Sequence, residues 1–403
     1  MQLRFGIRQE LVRSSILVSL LCVLCSNSFA QDFKTIHPGV EYAHVETKVG
    51  NDPMKINLLR LDLKKVRLDV HHAFDKAIGV EPTSVIAAKH GAVAAINAGF
   101  FRLDKSEFAG DAAGILMIDG ELISESVNDR VSFVTRRDRK RTIVMFGHYA
   151  GRPSLTINSS NEPIVINGIN REHKPNEVVL YDRNFGATTK ALGAAAELVL
   201  TNCSREKGHV GVKISSCRQH QLSKGTVNNT IPENGFVLAL SKEFADRLEI
   251  DPARPAIIRY VLHDNNFSGG TLNVLATDST TDITNGVPQL IKNGKIDITW
   301  EREKAAKTFA LGRHPRTAVA KLKKGKFLMM TVDGRQPGIS EGMTLQELAE
   351  YLLSLGATDA MNLDGGGSTT MYVDGKVVNT PSDKEGERRV SDAIVVTLRN
   401  KHR

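Results

Sequence analysis

Cysteine is scarce. The chain has four, and two of them, Cys22 and Cys25, fall among the first thirty residues. Only Cys203 and Cys217 remain beyond that point. In an exported chain this pair reads as a disulfide across a short loop; a metal site or two free thiols compete with that reading, and His209 and His220 are the only further ligands nearby. Aromatics are few as well, at 5% with a single tryptophan. None interleaves with the basic runs, so no nucleic-acid partner is indicated. No apolar run after the first thirty residues is long enough to span a membrane. The glycine-rich stretch near the C-terminus lacks the Gly-Lys-Ser/Thr ending of a phosphate-binding loop and the Gly-x-Ser-x-Gly of a hydrolase nucleophile elbow. No compact His/Asp metal-ligand motif appears anywhere.

What is present begins with a leader. Arg4, Arg8 and Arg13 precede SSILVSLLCVLC, an apolar core of about a dozen residues, short for a membrane span. Ser28-Phe29-Ala30 reads as a small-x-small cleavage site, so residues 1–30 form a signal peptide and the mature chain begins at Gln31; an uncleaved anchor is the alternative. Cys25 lacks the small residues before it that a lipoprotein site needs. These features imply a secreted or periplasmic protein with no stable membrane span after cleavage. The net charge of +8 falls to +6 without the leader, which suits anionic substrates or an anionic cell-surface polymer. The densest basic run, Arg136 to Arg141, lies between SFVT and TIVMF and reads as a solvated connection. Four Asn-x-Ser/Thr sequons, at Asn158, Asn202, Asn228 and Asn266, matter only in a source that glycosylates.

The body of the chain alternates short β-like runs with few helices. Asp119-Gly120, Asn293-Gly294 and Asp374-Gly375 are hairpin dipeptides between apolar runs. TLQELAEYLLSLG carries a capping box, Thr344 with Glu347, an apolar face of Leu345, Leu348, Ala349, Leu352 and Leu353, and a stop at Gly356. PTSVIAAKH is a second, weaker helix ended by Gly91. After each comes a buried strand closing in asparagine: Gly91-Ala92-x-x-Ala95-Ile96-Asn97 lines up with Gly356-Ala357-x-x-Ala360-Met361-Asn362. The match predicts two similar helix–strand units that bring Asn97 and Asn362 to one cleft, unless it is a coincidence of alanine-rich sequence. The expected fold is α+β, a β-rich mixed-sheet core with few helices. Residues 31–84 are expected as a β-rich segment packed on a domain of residues 85–399, with a β-rich middle region at about 190–300.

Three polar clusters carry the chemistry. In MNLDGGGSTTMYVDG, Asp364 stands at a strand end before Gly365, Gly366, Gly367 and Ser368. Glycines admit bare backbone to a ligand and can turn successive N–H groups into an anion cradle. A second strand, KFLMMTVD, ends in Asp333-Gly334-Arg335, downstream of His314, Arg316 and Thr317; arginine suits bidentate contact with phosphate or carboxylate. The third cluster is a polar turn of Asn379, Ser382 and Asp383 followed by Arg388.

INAGFF, HPRTAVA, TVDGRQPGISEGMTLQELAEYLLSLGATDAMNLDGGGSTTM and VNTPSD…ERRVSDAIVV together resemble the phosphodiester glycosidase family, over about Val85 to Leu398. Two small departures stand out: Ala98 where the family usually has glycine, and Ala320 where it has glycine. The resemblance implies an exported glycosidase that cuts the glycosidic bond of a sugar-1-phosphodiester of N-acetylglucosamine type, in envelope or extracellular glycans such as exopolysaccharide. It implies Asp364 as the carboxylate opposing an oxocarbenium-like sugar, with Asp333 as its partner. Arg316, Arg335 and the amides of Gly365–Gly367 would meet the phosphate, with Thr317, Ser368 and Asp383 lining the substrate, and Asn97 and Asn362 would bind sugar groups. No cofactor is required, although a divalent cation with oxygen ligands is compatible. Two other readings stay open: a metal-dependent phosphodiesterase cutting the P–O bond, and a non-catalytic glycan-binding module.

Overall fold

Alternation within single strands sets the layers. In the strand Asp52–Asp62, Leu59 and Leu61 enter one hydrophobic core while Ile56 and Leu58 enter another. The hairpin Arg316–Leu322 and Lys326–Val332 does the same: Val319, Phe327 and Met329 face the first core, and Ala318, Ala320, Leu328 and Met330 the second. Side chains two apart share a face, so both faces of this sheet are covered. The computed structural model describes residues 31–151, 153–157, 162–206, 212–225, 227–251, 253–265 and 281–399. The expected leader, and the sequons at Asn158 and Asn266, lie outside them.

Two sheets sandwich the first core. One has eight strands, with Val40–Val49, Asp52–Asp62, Lys326–Val332, Arg316–Leu322, Ala357–Asn362 and Gln289–Lys292 adjacent in that order. The other has five, running Lys376–Val377, Met371–Val373, Ala94–Asn97, Asp392–Leu398 and Val66–His72. The helix Leu345–Ser354 covers the far face of the larger sheet with Leu345, Leu348, Ala349 and Leu352. The helix Thr83–Lys89 covers the far face of the smaller sheet through Ile86 and Ala87, against Ala95, Ala393 and Val395. Thr344 Oγ1 accepts from the Glu347 amide at 3.1 Å and Glu347 accepts from the Thr344 amide at 2.9 Å, so the capping box closes in both directions. All three hairpin dipeptides adopt two successive positive-φ residues, for example Asp374 at 45° and Gly375 at 84°, the signature of a turn whose twist matches the strands. The Arg136–Arg141 run is a hairpin end joining Ser132–Arg137 to Thr142–Gly147. The result is the β-rich α+β fold the sequence implies.

Domain limits differ from the expectation. The segment 31–84 is not applied to the core from outside: Asp52–Asp62 and Val66–His72 are members of the two central sheets. The middle β-rich region begins earlier and ends sooner, as an eight-stranded sheet from Ser154–Thr156 to Ala256–Val261 with its own core around Leu155, Leu198, Leu238 and Ile258. Strands of two to four residues, such as Gly168–Ile169, show no alternation long enough to read. Among the described residues, mixed pairing arises only there, where Gly168–Ile169 runs parallel to Val178–Tyr181. In that sheet Cys203 faces Cys217 across a hairpin and the two form a disulfide.

Leu348 is fully buried between the capped helix and the sheet. Leu348→Ala should cost about 2–5 kcal/mol, read as a lower urea midpoint with an unchanged slope.

Candidate active site

The two helix–strand units meet at their strand ends. Gly91 (φ 63°) and Gly356 (φ 86°) reverse the chain after their helices, and Asn97 and Asn362 close the strands that follow. Asn97 Nδ2 donates to the Asp364 carbonyl at 2.7 Å, and the Asp364 amide donates to the Ala98 carbonyl at 2.9 Å. Asn97 Oδ1 accepts from Thr317 Oγ1 at 2.8 Å and from the Thr370 amide at 3.1 Å. Asn362 Nδ2 donates to the carbonyls of Val287 and Leu363. The sequence reading gave Asn97, Asn362 and Thr317 to the substrate. All three are fully buried, and these bonds make them the joint that lays the Asp364 loop against the start of the Arg316 strand.

That joint explains the three glycines. A Cβ on Gly365 would sit 2.7 Å from the Pro315 carbonyl oxygen, and one on Gly367 would sit 2.2 Å from both Arg388 Nη2 and Asp383 Oδ1. A Cβ on Gly366, whose φ is 60°, would sit 3.0 Å from Arg335 Nη2. The bare backbone therefore admits two guanidinium groups and a carboxylate. It does not form the expected nest of open amides: the Gly365 amide donates to Asp364 Oδ1 at 2.9 Å and the Gly366 amide to the Pro315 carbonyl at 2.9 Å.

Charge at the site is mainly positive. Arg335 is exposed, takes positive φ (60°) and has no hydrogen-bond or ion-pair partner among the described residues. Arg388 is held by Asp383 through two bonds, Nε to Oδ2 at 2.7 Å and Nη2 to Oδ1 at 3.0 Å. Arg316 is fully buried without a carboxylate: Nε donates to the Met343 carbonyl, Nη2 donates to those of Phe309 and Gly312, and Nη1 has no acceptor among the described residues. Burial, reinforced by the charge of Arg335, pulls the Arg316 pKa down to about 9. Its guanidinium lies over the Phe309 ring, 4.8 Å from the centroid. Burial, together with the charges of Arg316 and Arg335, lowers the pKa of His314. A buried cation without a counter-ion beside a second free cation is a place for an anion.

Asp364 lies within reach of the Arg388 charge. Burial pushes its pKa up to about 6, against the opposing pull of Ser368, the Gly365 amide and the Arg388 charge. The buried Ser368 hydroxyl lies close enough to lower that pKa but outside ordinary hydrogen-bond geometry. Asp333, the expected partner acid, has its carboxylate engaged by a turn. Its carboxylate accepts from Asn379 Nδ2 at 3.1 Å and from the Thr380 amide, and it is 2% exposed. It anchors the turn that leads to Asp383.

Two further groups escaped the sequence reading. Arg130 is partly buried, feels the charge of Asp364, and sits with its guanidinium carbon 5.5 Å from the Phe100 ring centroid. Asp392 is buried, accepts from the Gly99 amide at 2.9 Å and from Thr284 Oγ1 at 2.5 Å, and raises the Asp364 pKa. No local pattern marks either residue; only the meeting of distant strands brings them to Asp364.

A glycine run thus seats guanidinium groups near an acid of raised pKa, an arrangement that suits an anion. Residues 210–397 match the family model described as phosphodiester glycosidase. The chain is 35% identical over 139 residues to N-acetylglucosamine-1-phosphodiester alpha-N-acetylglucosaminidase of Bos taurus, covering 30% of this chain and 26% of that protein. To the Homo sapiens enzyme of the same name it is 33% identical over 120 residues, covering 27% of this chain and 23% of that protein. The matches thus span about a quarter of the length of these relatives. A crystal structure from Burkholderia pseudomallei shares the fold with a TM-score of 0.68 at 23% identity, covering 86% of this chain and 74% of that one.

Gly367→Ala should lose about 1–3 kcal/mol, because the new methyl displaces Arg388 and Asp383. Gly91→Ala, with positive φ but open space around its Cβ, should lose only about 1–2 kcal/mol. Urea melts of both variants check this: Gly367→Ala should also abolish the additional cost of removing Arg388 in the double variant.

Proposed function

We propose that this protein is an exported hydrolase that cleaves the glycosidic bond of a sugar-1-phosphodiester, with a sugar of N-acetylglucosamine type, in envelope or extracellular glycans. One observation carries the reading: Asp364, an acid of raised pKa, begins the glycine loop against which Arg388 and the unpaired Arg335 are set. The partial sequence match to N-acetylglucosamine-1-phosphodiester alpha-N-acetylglucosaminidases supports the bond and the sugar. The basic balance of the chain and its leader-like N-terminus support export and an anionic glycan.

The reaction asks little of an acid catalyst. A phosphate ester is a good leaving group, and its charge needs stabilisation more than protonation. Arg335, free and exposed, and Arg388, fixed in direction by Asp383, receive the phosphodiester. Arg316, through its unpartnered Nη1, completes the positive field from below. Asp364 in its ionised form opposes the positive charge that develops at the anomeric carbon as the C–O bond breaks. Water adds its oxygen to that carbon, the bonding pair leaves with the phosphomonoester, and one proton is released. The residues that join the strand ends keep the carboxylate and the guanidinium groups at fixed separation, which is where the advantage over water arises. The reaction so written takes no cofactor.

The test is product analysis with an N-acetylglucosamine-α-1-phosphodiester in heavy-oxygen water. Label should enter the sugar; label in the phosphate would mean P–O cleavage and would contradict the proposal, as would absence of turnover across a panel of sugar-1-phosphodiesters. Asp364→Asn should lower kcat by at least about 100-fold. Its fold should not suffer. The folded pKa of Asp364 lies above the unfolded value, so wild type loses stability as pH rises from about 4 through about 6. Above that range the amide variant should therefore be more stable than wild type, by up to about 3 kcal/mol, and the gain should vanish below pH 4.

A further inference from the structure

Three ligating side chains meet on the other side of the smaller sheet, in a group the proposed chemistry does not use. His71 is the penultimate residue of the strand Val66–His72, Asp75 lies in the tight turn that follows, and His90 caps the C-terminus of the helix Thr83–Lys89. One ligand atom from each lies within 4.8 Å of the other two. The two imidazole rings are stacked with centroids 3.5 Å apart and planes 8° from parallel. His90 Nε2 is 3.1 Å from Asp75 Oδ1, and Lys89 Nζ holds Asp75 Oδ2 at 2.6 Å. Neither ring nitrogen of His71 has a hydrogen-bond partner among the described residues.

We propose that His71, Asp75 and His90 form a binding site for a divalent cation of the zinc class. Two imidazole nitrogens and one carboxylate oxygen are the donor set such ions take, with the fourth position left to water. Calcium and magnesium, which demand oxygen donors, fit it poorly. His71 keeps both ring nitrogens free of other partners among the described residues, so a lone pair is available to a metal. The groups facing it from neighbouring elements are Asp119, which favours a cation, and Arg137, which opposes one but is itself ion-paired to Asp69 and Asp119. Lys89 is exposed and long enough to withdraw from Asp75 when the ion enters. Zinc–nitrogen and zinc–oxygen distances of about 2 Å require the donors to close by roughly 1 Å. Rotation of each ring about χ2, with movement of Asp75 on its exposed turn, brings the lone pairs together.

The ion would fasten the end of the His71 strand to the end of the helix that feeds the Asn97 strand. Its effect is therefore structural, and it can be tested without any turnover assay. The mature chain, treated with chelator and carrying no histidine tag, is titrated with Zn²⁺ by calorimetry and with Co²⁺ by visible absorption. Wild type should bind one equivalent with Kd of about 10 µM or tighter, and its Tm should rise with Zn²⁺ as mass action requires. His71→Gln and His90→Gln should each weaken binding at least about tenfold and abolish the Tm rise; Asp75→Asn, on an exposed turn, should weaken it about tenfold with no change in the metal-free Tm. His37→Gln, at a separate His–Asp pair, should leave binding unchanged. Absence of binding by wild type, or equal binding by the Asp75 and His variants, would overturn the proposal.

Discussion

The structure depends on one junction, where two strand ends from different sheets are bonded end to end. Asn97 at the close of the smaller sheet grips the Asp364 backbone at the close of the larger one, and Asp364 answers through its amide to Ala98. Thr317 and Thr370 occupy the remaining side of the Asn97 amide oxygen. Buried backbone polar groups at strand ends must find partners, and here each unit supplies them for the other. Because the bonds cross between units separated by more than two hundred residues, the loop after Asp364 has no freedom to move off. It lies against Pro315, Arg335 and Arg388, so that any added side chain must displace one of them.

The same junction sets the electrostatics. Burial makes the Asp364 carboxyl costly to ionise, while the nearby charge of Arg388 lowers that cost. The balance leaves Asp364 about two pH units above an ordinary aspartate, an ionisation poised where a modest change in surroundings alters its charge. Arg316 carries the complementary tension: a fully buried cation satisfied by carbonyl oxygens alone and still short of one acceptor. Stability has been yielded at both residues, and at Arg316 a bound anion would offset the loss.

Local features were legible because each rests on a few adjacent residues. The capping box of Thr344 and Glu347, the hairpin turns at Asp119, Asn293 and Asp374, the Cys203–Cys217 pair and the repeat ending in Asn97 and Asn362 all appear as read. What failed to show in the sequence was the use of side chains. Asparagine at a strand lip reads equally well as a ligand to sugar and as a ligand to backbone, and only the partners decide. Asp333 shares the strand-end, glycine-next pattern of Asp364, yet its carboxylate faces the Asn379–Thr380 turn. Arg130 and Asp392 carry no pattern at all. The early strands were underrated because their partners, Lys326–Val332 and Asp392–Leu398, lie far along the chain.

The central claim is that Asp364 works ionised, with its pKa set by burial against the charge of Arg388. The pH dependence of kcat/KM on a sugar-1-phosphodiester, compared between wild type and Arg388→Gln, tests it most directly. Wild type should gain activity as pH rises through about 6. Loss of the Arg388 charge raises the Asp364 pKa, so the rising limb of the variant should move to higher pH. A wild-type profile flat between pH 5 and 7, or a limb that stays in place in the variant, would contradict the account.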